Sequence, residues 1–386
     1  MAGSLAARTL ARPSFETAFE APACLRAMLA FEAALAQAQA AEGVIPEPAA
    51  NVIEAACTGI AIDVEALVAE GKRSATLAVP LVNMLRAEVG KTSKEHAKHV
   101  HFGATSQDVL DTAMVLCLRP CLDEADRALE ACVRSLAAKA REHRTAPMLG
   151  RTLMQPAVPI TAGVKIGRWA VALAQDRERL AEAAAEALAV QLGGPVGAME
   201  AFGACGPAVR HRMALRLALA ESPAWHVHRN AWIDLMGRIA QVVATAGKIA
   251  RDVSLMMQPE VGEMLEAPPK AGVGASSAMP HKRNPVACAH ALAAATRMPG
   301  LIATVHAANL AEHERALGGW QAELVVVPEI ASTLGTSLDF LDTIAASLVV
   351  NADRMRENVE RYSTPSRDSF EPAMDELLGE LAPYLS

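Results

Sequence analysis

Gly274-Ala275-Ser276-Ser277-Ala278-Met279-Pro280-His281-Lys282-Arg283-Asn284-Pro285 joins two long helical patterns, and its reading decides the fold. It reads as a loop that docks at a helix start. Asn284 is a cap-forming type, and Pro285 suits the first helical turn, where a missing N–H costs nothing. Small residues on both sides of the two serines let the backbone approach a ligand closely. Lys282 and Arg283 place positive charge beside a hydroxyl, at the positive end of the following helix. Such a pattern favours an anionic ligand and eases formation of an alkoxide. An ordinary polar surface loop would use the same residue types.

Upstream, Ile239, Val242, Val243, Ala246, Ile249, Ala250 and Val253 follow the i, i+3, i+4, i+7 spacing of a helix with one buried face. Downstream, a helix is predicted over 286–310 with a kink at Pro299. The next, over 325–350, is apolar on most sides and suits burial in a bundle or a subunit interface. Earlier in the chain, His101-Phe102-Gly103-Ala104-Thr105-Ser106-Gln107-Asp108 opens another long helix, which runs toward residue 143 and bends at Pro120. Thr105, Ser106 and Asp108 are cap-forming types, and Asp108 and Asp111 favour a positive helix end. First-turn amides and two hydroxyls can hold a carboxylate there, although a plain N-cap carries the same signature. Gly150 to Pro156 follows a loop. Pro156 and Pro159 restrict the start of a helix that continues to about Leu188.

The first hundred residues read as shorter helices, among them the run from Cys24 to Leu35, closed by Gly43 and then by Pro46 and Pro48. The expected organisation is an N-terminal helical domain over 1–103, a central long-helix bundle over 104–350 with a catalytic loop at 272–285, and a short polar C-terminal appendage over 351–386. Gln191 to Gly197 is glycine-rich, but no strand precedes it, so it is a poor dinucleotide loop. His226 and His228 lie two apart, a spacing better suited to packing or to supporting a neighbouring site residue than to metal ligation.

Composition supports an all-α fold. Hydrophobic residues make up 52% of the 386, aromatics only 3%, which favours closely packed helices over a β-sandwich. A net charge of −7 argues against a broad nucleic-acid surface. Seven cysteines in no C-x-x-C spacing indicate neither a disulfide framework nor a zinc site, and Cys117 and Cys121 read as small apolar fillers. Neither a signal peptide nor an uninterrupted apolar span of about 18 residues is evident. The expectation is a reduced, cytoplasmic protein with no metal or organic cofactor, no membrane contact and no nucleic-acid partner.

The serine loop resembles the G-S-S-x-M-P-x-K-x-N-P loop of the fumarase/aspartase superfamily, with Ala275 in place of the glycine before the first serine. The resemblance spans residues from about 15 to 358. It implies an all-α, long-helix bundle with a shortened C-terminal region, a homotetramer, and active sites shared between subunits. It also implies β-elimination or its reverse. By this resemblance Ser276 is the proton donor or base and Lys282 supports it, while Thr105, Ser106, Gln155 and Asn284 contact substrate. Arg151, also a substrate-binding position by this resemblance, opens a segment that in many members reads R-T-H-x-Q. Here Leu153 stands where their histidine protonates the leaving group. A general acid contributes roughly 10²–10⁴-fold, so its loss fits a group that leaves as an anion, such as the carboxylate of a lactone. Met28 to Ala36, His101 to Thr112 and Glu312 to Glu323 resemble the cycloisomerase family that lactonises 3-carboxy-cis,cis-muconate in aromatic-acid (protocatechuate, β-ketoadipate) breakdown. That resemblance implies a small polycarboxylate substrate, with Arg315 on a distal carboxylate and His101 assisting at the anion site or supporting it. Adenylosuccinate lyase shares the serine loop and His313-Glu314-Arg315, but Leu324 stands where its members carry a phosphate-binding arginine. A non-catalytic relative of the superfamily is the remaining alternative.

Overall fold

The computed structural model describes residues 5–267, 273, 274, 279, 282–362 and 371–385. The N-terminal part carries α1 (Leu5–Arg8), α2 (Pro13–Thr17), α3 (Ala21–Ala41), α4 (Glu47–Gly59), α5 (Val64–Ser74) and α6 (Ala78–Thr92). The long helices follow: α7 (Ser106–Glu142), α8 (Ala162–Ala187), α10 (Asn230–Met256), α11 (Val286–Ala308) and α12 (Gly319–Ser347), with the shorter α9 (Gly206–Leu217) before α10. Last come α13 (Ala352–Tyr362) and α14 (Glu371–Leu385). The apolar stripe read from the sequence of α10 is fully buried from Ile239 to Val253. Pro120 and Pro299 lie inside α7 and α11, which continue through them.

Successive long helices alternate in direction. The end of α8 pairs through Val190 with Ala220, just ahead of α10. Gln107, at the start of α7, donates to the His226 carbonyl. At the other end Ala162 N–H donates to Ala146, and Ala267 N–H to Ser347. The starts of α7, α10 and α12 and the ends of α8 and α11 therefore share one end of the bundle. The opposite faces of those helices meet in one apolar core.

Residues 147–161 depart from the sequence reading. Instead of a helix start, β1 (Pro147–Thr152) and β2 (Gln155–Thr161) form an antiparallel hairpin, with Thr152 opposite Gln155. The prolines that exclude a helix are tolerated in this two-stranded ribbon, where each strand has an unpaired edge. Leu153 and Met154 make the turn with φ of 49° and 66°, the left-handed conformation of a primed hairpin turn. Both are exposed, at 96% and 69%. The helix starts only at Ala162, where the Thr161 side chain accepts from Val164 N–H. Residues 264–266 (β3) and 348–350 (β4) form a second small ribbon.

The expectation about apolar spans also needs correction. Val286–Ala308 and Gly319–Ser347 are both long and apolar enough to cross a membrane by length and composition. Pro299, Pro328 and scattered polar residues do not interrupt them. The most apolar window of α12 is 67% buried in the bundle, but that of α11 only 22%.

One buried cluster locks three helices together. Arg229, just before α10, donates to Asp111 on α7 (2.8 Å) and to Glu323 on α12 (2.7 Å), and lies 4.7 Å from the Trp225 ring. Trp320 Nε1 also donates to Asp111, at 3.0 Å. Burial works against the charge on Arg229, but the two carboxylates outweigh it and raise its pKa. Replacing Arg229 by Met should strand two buried carboxylates and cost about 3–5 kcal/mol. The check is urea unfolding followed by circular dichroism; an unchanged midpoint would show that the cluster does not hold the bundle.

Candidate active site

The sequence-predicted residues fall into two groups at opposite ends of the bundle. At the first end, Thr105 is extended (φ −129°, ψ 163°) and α7 begins at Ser106. Asp108, fully buried, organises this start. Its carboxylate accepts from Thr105 N–H (3.0 Å), Gly193 N–H (2.9 Å), Gly194 N–H (3.0 Å), Gln191 Nε2 (3.1 Å) and His226 Nε2 (2.8 Å). The expectation that Asp108 serves the helix cap is met through Thr105 N–H, and the same carboxylate also clamps the glycine-rich turn. Arg315 joins the group by donating to the Pro195 carbonyl at 2.8 Å. Among the described residues no carboxylate lies within ion-pair distance of its guanidinium.

His101 precedes this helix start with φ of 60°. Its Nδ1 is 2.6 Å from Glu32 Oε1, and Glu32 is buried on α3. Burial alone would lower the imidazole pKa, but the Glu32 charge and hydrogen bond raise it. This end therefore offers the Arg315 guanidinium, an imidazole whose proton affinity is raised by Glu32, and the amide end of a long helix. Such a set suits a polyanionic ligand.

At the second end, Arg151 on β1 makes a two-pronged pair with the buried Glu263 (both 2.7 Å), and Asn358 Nδ2 donates to the same carboxylate at 2.8 Å. Arg151 thus fastens the hairpin to the end of the bundle. Gln155 is exposed at the start of β2. Asn284 does not cap α11. Its N–H and Nδ2 both reach the Gly274 carbonyl (2.8 and 3.2 Å) and close the base of the serine loop. The cap comes from Glu266 on β3, whose two oxygens accept from Ala287 N–H (2.9 Å) and Cys288 N–H (2.8 Å). Gly274 has φ of 73°, and a side chain there would meet the Asn284 carbonyl at 2.6 Å, so only glycine fits. Lys282 is exposed at the rim of a cleft of about 880 Å³ that Asn284, Glu266, His290 and Met257 also line. Ser276 and His281 lie outside the described residues.

The 27 residues of α10, at 1.5 Å per residue, set these ends roughly 40 Å apart. His101, Thr105, Ser106 and Arg315 lie at one, and Arg151, Gln155, Lys282 and Asn284 at the other. One chain does not bring them together. Sequence reasoning left Glu32, Glu263 and Glu266 without a role, and gave His226 a supporting or packing role without naming its partner. Their signals were weak, since each is an acid or histidine in a helical or loop context whose partner lies far along the chain.

A family model described as lyase matches residues 8–300, and the chain belongs to that family, within the fumarase/aspartase superfamily. It is 44% identical to a 3-carboxy-cis,cis-muconate cycloisomerase of Bradyrhizobium diazoefficiens, over 92% of this chain and 80% of the relative. It is 40% identical to a nitrosuccinate lyase of Streptomyces davaonensis, over 89% of this chain and 74% of that protein. The fold is similar to the crystal structure of beta-carboxy-cis,cis-muconate cycloisomerase from Acinetobacter calcoaceticus sp. ADP1, with a TM-score of 0.86 and 36% identity, over 93% of this chain and 80% of that one.

Asp108→Asn should turn an amide NH₂ toward backbone donors and cost about 1–3 kcal/mol. Because Asp108 also places Thr105 and the Pro195 turn that holds Arg315, substrate KM should rise with it. Unfolding curves and steady-state kinetics on the same preparation check both; an unchanged KM would separate the Asp108 cluster from the substrate site.

Proposed function

We propose that the protein lactonises 3-carboxy-cis,cis-muconate to 4-carboxymuconolactone, a step in aromatic-acid breakdown. The observation that carries this reading is the 44% identity to a named cycloisomerase over 92% of the chain. The chemistry at position 153 supports it. Leu153 occupies the hairpin tip, where the resemblance places the leaving-group acid of elimination enzymes, and a carboxylate with an ordinary pKa of about 4 needs no such acid. In the forward direction a substrate carboxylate oxygen bonds to the diene carbon. The π electrons move toward the carbon α to another carboxylate, and Ser276 delivers the proton there. Lys282 favours the serine alkoxide left behind. Arg315, His101, Thr105 and Ser106 hold the remaining carboxylates.

The active protein in this reading is a homotetramer whose sites draw the two ends of the bundle from different subunits. The separation along α10 supports this, because one chain holds the two groups at opposite ends. The apolar surface left open on α11 supports it too, since covering it against other copies would bury what one chain exposes. Seven free cysteines suit a reducing cytoplasm.

Nitrosuccinate elimination is the second reading, favoured by the 40% identity. Nitrite also departs as an anion, so Leu153 does not separate the two. Ultraviolet absorbance does. With 3-carboxy-cis,cis-muconate the diene absorbance should fall, and Ser276→Ala should slow that fall by orders of magnitude while leaving the assembly intact. Fumarate formation from nitrosuccinate or adenylosuccinate, with the muconate untouched, would overturn the cycloisomerase reading. Arg315→Ala should raise KM. Tetramers reassembled from a mixture of Ser276→Ala and Arg315→Ala chains should regain activity at substrate below the mutant KM; failure to regain it would place both residues in one subunit's site.

A further inference from the structure

Two polar residues on the same face of α3, Glu32 and Gln39, are buried against the segment that leads into α7. Glu32 meets His101 Nδ1 at 2.6 Å, and Gln39 Nε2 donates to the Phe102 carbonyl at 2.6 Å. From α6, Arg86 donates to the Val100 carbonyl at 3.2 Å. Three side chains thus pin three consecutive residues. The middle one, His101, holds a left-handed backbone that a residue with a Cβ disfavours. Strain of this kind persists only where surrounding contacts over-determine it, and such places cluster at working sites.

Helix capping alone does not require this arrangement, since Asp108 already organises the start of α7. The Glu32 pair does something different. Glu32 is 1% exposed, and its second carboxylate oxygen has no hydrogen-bond partner among the described residues. A buried carboxylate with a single contact is tolerable when that contact carries positive charge. With Nδ1 committed to Glu32, the ring edge left for a ligand is Nε2.

We propose that Glu32 is a positioning residue for the reaction, holding His101 as a cation that presents Nε2–H to a substrate carboxylate. The proposal rests on the placement of His101 at the anion site. The charged groups facing His101 are Glu32 from α3, Asp108 from α7 and Arg86 from α6. Two carboxylates against one guanidinium favour the imidazolium, in keeping with the raised proton affinity of His101. The sign follows. His101 is charged at pH below its raised midpoint, so substrate binding is strongest there and weakens as pH rises through it.

The test uses full-length protein labelled with carbon-13 at histidine Cε1, the His101 signal being assigned by its loss in His101→Asn. In the wild type that signal should titrate above the ordinary value of about 6.5; a midpoint at or below it overturns the proposal whether or not any variant folds. Glu32→Gln keeps the shape but removes the charge, and should lower the midpoint by about 1–3 units. The kcat/KM profile of lactonisation should lose its alkaline limb at correspondingly lower pH. That loss should come through KM rather than kcat, with partial recovery in Glu32→Asp. A His101 midpoint that moves while the KM profile stays fixed would make the pair structural only and overturn the proposal. If the wild type does not lactonise the muconate at all, the lactonisation reading has failed, and the titration still decides whether Glu32 holds His101 charged.

Discussion

Two carboxylates one helical turn apart set the architecture. Asp108 and Asp111 sit on the buried side of α7, and each meets a residue of the segment that leads into α10, His226 and Arg229. Both pairs have the same i, i+3 spacing, so the two elements fit in one register. A shift would leave buried charge unpaired, at a cost of several kcal/mol per group. Trp320 and Glu323, again three apart, bring α12 into the same arrangement. Hydrophobic packing alone would tolerate sliding among alanine-rich helices with similar faces. The charged pairs do not tolerate it, which makes them the elements that specify where each long helix begins.

The placement of functional groups follows from that register. The carboxylate that fixes α7 also gathers Thr105 and the Gly193–Pro195 turn, and through Pro195 it reaches Arg315. At the other end, Glu263 and Glu266 divide the work by local chemistry. Glu263 holds Arg151 and the hairpin, while Glu266 caps α11 and so frees Asn284 to tie the loop at Gly274. Each end is rigid. The distance between them is set by helix length, and in the proposed homotetramer the two ends that form a site would come from different chains.

Much of this was legible in the sequence. The period of apolar residues gave the long helices, since their burial needs one continuous stripe; the α10 stripe is buried as read. The serine loop was legible as a motif. The assignment of Asn284 as a cap failed because cap-forming residues also close loops, and the actual cap, Glu266, comes from a strand, 21 positions before the Ala287 amide it binds. The hairpin failed because Pro156 and Pro159 mark the end of helical freedom without saying what replaces it, and its turn lacks the glycine or asparagine that usually announces φ > 0. Glu32 stood inside a helix pattern where a lone acid reads as solvated. Its role depends on a histidine 69 positions away, beyond any local signal.

That hairpin tip unites the structural and chemical readings. Leu153 and Met154 hold left-handed backbones at about 1–2 kcal/mol each, and they also expose apolar side chains. In an isolated chain the pairing of the hairpin strands offsets the turn, but the two apolar side chains at its tip stay in water. Burying a leucine or methionine side chain returns about 1.5–3 kcal/mol, so seating the tip against another copy offsets the strain. In the proposed assembly such a tip would put an apolar wall where elimination enzymes put an acid. Such a wall would exclude water from the closing lactone and would supply no proton, which the departing carboxylate of the reverse reaction does not need.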